Sequence, residues 1–135
     1  MQSDHLHLIV EAADRETMSR GVWGLAVRLA RAVNRAHRRR GSVWDDRYHV
    51  RALRSPREVR SALVYVLLNF RKHLRRAVGI DPCSSAPCFD GFRGRHQERA
   101  AIGAPVVVAA QTWLLRIGWR RGGLIGPGEA PARAG

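Results

Sequence analysis

The sequence predicts an α+β fold, a small antiparallel sheet carrying two main helices. Residues 5–11 (HLHLIVE) and 48–53 (YHVRAL) alternate as half-buried strands do, whereas residues 15–39 and 56–76 place apolar side chains at helical spacing. The length, 135 residues, is one domain's worth of chain. A hydrophobic fraction of 45% is ordinary for a globular protein with a modest core.

The first predicted strand is His5-Leu6-His7-Leu8-Ile9-Val10. Successive strand side chains point to opposite faces, so His5 and His7 emerge together, and Leu6, Leu8 and Val10 emerge on the other face, against the core. Two adjacent imidazoles can chelate a divalent metal; a strand with two structural or exposed histidines is the plainer alternative, and both stay open on this motif alone. Ala12-Ala13-Asp14 then turns the chain, with Asp14 as helix N-cap and Thr17 as the weaker rival. Met18, Val22, Leu25, Leu29 and Val33 form the apolar stripe of the first helix, and Arg15, Arg20, Arg28, Arg31 and Arg35 lie mostly off it. Gly21 and Gly24 cost that helix roughly 1 kcal/mol each relative to Ala, or else admit another backbone.

Arg38, Arg39 and Arg40 close the helix, where cations suit its dipole, and Gly41 is placed to be the C′ residue. The same arginines read as a phosphate-contacting patch, and the two roles are compatible. Asp45 and Asp46 offer either a second metal site or a solvated turn paired with arginine. After the second predicted strand, Ser55-Pro56-Arg57-Glu58 has Ser at the N-cap, Pro at N1 and Glu at N3, a strong helix start. The helix carries Val59, Leu63, Val66, Leu67, Phe70 and Leu74 on its apolar face. On a neighbouring face Tyr65 and Asn69 stack one turn apart, followed by Lys72 and Arg76. That stripe suits phosphate chemistry; a tyrosine at the core edge with a wet hydroxyl fits it equally.

Residues 79–110 read as an irregular basic loop region, of a length usually either functional or disordered. Cys83 and Cys88, the two cysteines, are spaced C-x4-C within it; with no second pair to complete a zinc site, two free thiols are expected. Val106, Val107 and Val108 suggest a short strand or a helix start. Residues 111–135 read as a short basic helix to Arg121, with Trp113, Leu114 and Ile117 on one side, followed by a flexible Gly/Pro/Ala tail. No internal repeat is present.

Charge narrows the partners. The formal net charge is +13 and the sequence pI is about 11.6, a surplus that attracts phosphate polyanions, with nucleic acid the default. Lys72 is the one lysine against 23 arginines; arginine suits bidentate phosphate contacts, although a GC-rich genome gives the same bias. Arg38, Arg39, Arg40, Arg47, Arg51, Arg71, Lys72 and Arg76 are the candidate nucleic-acid contacts. No apolar run approaches the roughly 20 residues of a membrane span and no signal pattern opens the chain, so no membrane partner and a cytoplasmic location are expected.

Taken in order, H-L-H-L-I-V-E, then N-R-x-H-x-x-R-G-S-V-W-D-D-R-Y, then Y-V-L-L-N resemble the HUH tyrosine transposases, particularly the REP-associated type, over residues 4–76. The stretch T-W-L-L-R-I-G-W-R-R-G-G-L-I is similar to the tail of a subgroup of them. The resemblance implies an incomplete ferredoxin-like (HUH) core, RNA-recognition-like in outline, over residues 1–78. Family members carry a strand and a helix ahead of the histidine pair; here residues 1–4 precede His5, which implies an N-terminally truncated core. Asp4 stands where many relatives have Asn.

The activity implied is metal-assisted cleavage and joining of single-stranded DNA at hairpin-containing element ends. In that scheme His5 and His7 hold Mg²⁺ or Mn²⁺ with Asn69 as third ligand. Tyr65 attacks phosphorus to leave a 5′-phosphotyrosine and a free 3′-OH, and no nucleotide cofactor is needed. Relatives include dimers and forms that act alone, so oligomeric state is not implied. The alternative is a truncated, catalytically inactive remnant that binds nucleic acid through its arginines, sensitive to salt and indifferent to metal.

Overall fold

A computed structural model describes residues 5–70, 80–94 and 107–130. It forms two compact units, Val10–Ala52 and a second made of Met1–Ile9 with Leu53–Gly135. Regular structure is helical: α1 (Arg15–Ala36), α2 (Pro56–Leu68) and a single turn, α3 (Trp113–Arg116), with 3-10 turns at Ala86–Cys88 and Gly118–Gly122.

The predicted antiparallel sheet is not formed. No β-strand occurs among the described residues, which corrects the α+β expectation and, with it, the ferredoxin-like core. Sheet-like pairing is limited there to an isolated parallel bridge between Phe92 and Ile125, with Arg93 N–H donating to Ile125 O (2.7 Å) and Ile125 N–H to Gly91 O (3.0 Å). Alternation shows that a segment has two unlike faces but supplies no partner for its backbone, and a strand exists only in a ladder. Within its own unit the second predicted strand is a strap tied to α1 by side chains: Tyr48 Oη donates to Ser19 Oγ (3.0 Å), and upstream Trp44 Nε1 donates to Ala26 O (3.0 Å).

Both main helices begin where local chemistry dictates. The Asp14 carboxylate accepts from Thr17 N–H at 2.7 Å, and those hydrogen bonds, backbone first, hold its pKa below the ordinary 3.8. At the other end His37 is the cap and Arg38, not Gly41, takes the left-handed position at φ 49°. Arg38 N–H then bonds Arg35 O (3.3 Å) and Arg39 N–H bonds Asn34 O (2.9 Å). Gly41 instead turns the chain at φ 103°, its carbonyl accepting from Asn34 Nδ2. No residue of α1 is fully buried. The start of α2 carries the expected capping box, Ser55 Oγ accepting from Glu58 N–H (3.2 Å) and Glu58 Oε2 accepting from Ser55 N–H (3.0 Å).

Helix α2 is the spine of its unit. Val59, Leu63, Val64, Leu67 and Leu68 are buried with Ala86, Phe92, Trp119 and Ile125, while Ile9, Leu53, Ile80, Phe89, Leu114 and Leu115 pack at the margin. The buried face differs from the predicted stripe: Val64 and Leu68 are buried, whereas Val66 and Phe70, predicted on it, are only half-buried. Leu74, predicted on that face, lies outside the described residues. In the C-terminal helix the inward residues are Leu114 and Leu115, and Trp113 and Ile117 are half exposed, so of the expected side only Leu114 packs inward. The tail is packed as far as Glu129. Ile125 is fully buried, and Arg60 of α2 donates to Gly123 O (3.0 Å), Leu124 O (3.2 Å) and the Glu129 carboxylate (2.8 Å).

Candidate active site

His5 and His7 lie on the extended segment before Ile9, and Tyr65 lies in the last turn of α2; all belong to one compact unit. An extended backbone sends residues two apart to one side, and the imidazole centroids lie 4.7 Å apart, edge to face at 78°. The His7 ring meets the Tyr65 ring in the same manner, at 4.8 Å and 77°. Three chemically active rings from distant parts of the sequence therefore stand in a row, His5, His7, Tyr65.

The polarity of this segment is the reverse of the expected one. His7 and Ile9 are its half-buried residues, and Ile9 packs against the core, while Leu6 and Leu8 are 42% and 47% exposed. The face bearing the histidines is thus the face that meets α2. The period-two pattern separates the faces correctly, and hydrophobicity alone assigns them wrongly, because the edge contact with Tyr65 occupies the inner side.

Asn69 is the C-cap of α2, one turn beyond Tyr65, with its N–H on Tyr65 O (3.0 Å). It is buried, and its side-chain Nδ2 and Oδ1 have no hydrogen-bond partner among the described residues. A buried amide left unsatisfied costs about 1–3 kcal/mol. Among the described residues no group of three or more His, Cys, Asp or Glu is arranged to hold a metal ion. Imidazole nitrogens and an amide oxygen, the donors that His5, His7 and Asn69 carry, are of a kind that divalent ions such as Mn²⁺ or Mg²⁺ accept.

The predicted nucleic-acid residues divide. Arg38, Arg39, Arg40, Arg47 and Arg51 are exposed in the Val10–Ala52 unit, with Arg39 Nη2 donating to Ser42 O (2.8 Å). Arg71, Lys72 and Arg76 lie outside the described residues. Cys83 and Cys88 are free and exposed, the Cys83 N–H donating to Asp81 Oδ1 (2.8 Å). Asp45 and Asp46 are exposed. Among the described residues no helix is long and apolar enough to cross a membrane.

No family model, curated protein or solved structure matches the chain.

Proposed function

We propose that this protein is a single-strand DNA cleaving and joining enzyme of the HUH tyrosine transposase type, with Tyr65 as nucleophile. The observation that carries the reading is the His7–Tyr65 ring contact at 4.8 Å, with His5 a further 4.7 Å along the row. A phenol has an ordinary pKa near 10 and attacks phosphorus well only when its proton is lost or shared. The His7 ring lies edge-on to the phenol ring with its Nε2 shielded from solvent, which supports a metal ligand standing beside the nucleophile. Tyr65 Oη then bonds to phosphorus as the 3′ oxygen leaves, so the 5′ end stays on the enzyme for rejoining and the phosphodiester energy is kept.

His5, His7 and the Asn69 amide oxygen would hold the divalent ion. When bound, such an ion polarises a non-bridging phosphate oxygen and steadies the leaving oxygen. The arginines draw in the polyanion from solution, and their contribution to binding falls with salt. Hairpin-containing element ends are the proposed substrate.

The test is incubation of the full chain with labelled single-stranded DNA and Mn²⁺. A covalent adduct stable to denaturation is expected, reduced in His7→Ala and abolished in Tyr65→Phe. No adduct with wild-type protein, or full adduct formation by Tyr65→Phe, would overturn the reading. The charge of +13 separately favours the second reading, an inactive remnant that binds nucleic acid, and salt-sensitive binding without an adduct is its result.

A further inference from the structure

The strap after α1 does more than cover the helix. Tyr48 ties to Ser19 and Trp44 ties to Ala26, so the strap runs antiparallel to α1. Ser19, Trp23 and Ala26 are at i, i+4 and i+7, which puts them on one stripe of the helix. Trp23 therefore sits between the two anchor points. Its neighbours on the stripe lie about 6 Å and about 4.5 Å away along the axis. All three aromatic residues are solvent-exposed, Trp23 at 71%, Tyr48 at 49% and Trp44 at 39%. The tips of Tyr48 and Trp44 are spent on their anchors, which fixes the rings in place before any ligand arrives.

We infer that Tyr48, Trp23 and Trp44 form a stacking platform for single-stranded nucleic acid, built into the Val10–Ala52 unit. Three observations together select this occupant. A row of exposed aromatics is costly in water unless it serves contact, and pre-anchored rings lose little entropy on stacking. The two anchor points are about 10.5 Å apart along α1 with Trp23 between them, a reach that suits more than one unstacked base of a single strand. Charge decides against an acidic-poor or apolar partner: the unit has ten arginines and five carboxylates, a formal surplus of five even with Asp45 and Asp46 on the strap. Arg20, next to Ser19 on the helix, and Arg47, next to Tyr48 on the strap, are both exposed and flank the row. Aromatic faces hold bases without regard to sequence and the flanking cations hold phosphates. The platform shares no residue with the His5–His7–Tyr65 row and needs neither metal nor covalent chemistry.

The experiment is fluorescence anisotropy of labelled oligothymidylate and oligouridylate with the full chain, in EDTA, over a range of salt concentrations. Trp23→Ala is expected to weaken both by roughly 5- to 150-fold, the loss of one stacked base, with the salt dependence unchanged. Trp23→Phe, which keeps a ring at an exposed site, is expected to retain most of the affinity. Arg20→Gln is expected to lower the salt slope by about 0.7 instead. Unchanged affinity in Trp23→Ala would overturn the platform. So would equal, Trp23-dependent binding of duplex DNA, or a sedimentation shift showing that Trp23 holds two copies of the chain together. Because no adduct is measured, failure here and failure of the Tyr65 chemistry are separate results.

Discussion

Asp14 shows how one side chain both sets a boundary and makes it pH-dependent. Its carboxylate accepts Thr17 N–H, and the resulting pKa lies below the ordinary 3.8. A depressed folded pKa means the cap's contribution is complete above the ordinary value and is lost as pH falls through the folded one. Helical circular dichroism of α1 is therefore expected to decline in acid below the usual carboxylate range. Asp14→Asn, which also caps, should remove that dependence while keeping the helix, and an unchanged acid profile in this variant would assign the loss elsewhere. At this scale the sequence is a good guide, since Asp14 and the Ser55/Glu58 box are local patterns. Trp23 was not singled out by the sequence, because its place depends on Trp44 and Tyr48, whose anchors on α1 only the folded chain provides. Which side of residues 5–9 faces inward was not legible, because an aromatic edge contact there outweighs aliphatic hydrophobicity.

Among the elements, helices could be read from spacing and caps, and strands could not. Residues 48–53 alternate convincingly, but among the described residues they form no strand and Tyr48 anchors on a helix, since a backbone ladder is a property of two segments at once. The C-terminal segment was hard to read for the opposite reason. The pair Leu124-Ile125 among Gly and Pro carries no periodicity, and the segment is held by Arg60 reaching three acceptors on either side of the buried Ile125. Removing that clamp with Arg60→Ala is expected to cost about 1–3 kcal/mol, read as a lower denaturant midpoint. Helix α1 gives a prediction of the other sign. Among the described residues, nothing beyond the helix's own neighbouring backbone lies within 4 Å of a Cβ built on Gly21 or Gly24, so no close approach seen there explains these glycines. The double variant Gly21→Ala/Gly24→Ala should raise stability by roughly 1 kcal/mol per site; destabilisation would mean the glycines meet something in solution.

For the whole molecule, a core gathered around α2 replaces the expected sheet. Trp119 is 2% exposed, stacked near Phe89 at 5.4 Å and buried with Phe92 and Ile125. Trp119→Ala should cost about 3–5 kcal/mol, by analogy with other large-to-small core changes, and a loss under about 1 kcal/mol in chemical denaturation would show that the C-terminal segment is not part of the core. The architecture that carries the candidate site's rings could not be read from the sequence. The His5–His7–Tyr65 row forms without the sheet anticipated for it, because an extended segment and one helix suffice to bring the rings together. The central claim is that this row makes Tyr65 a nucleophile toward DNA. Its most direct measurement is tandem mass spectrometry of the digested protein–oligonucleotide adduct formed in Mn²⁺. The account predicts a 5′-phosphoryl linkage on Tyr65; an adduct on Tyr48, on any other residue, or none at all would contradict it.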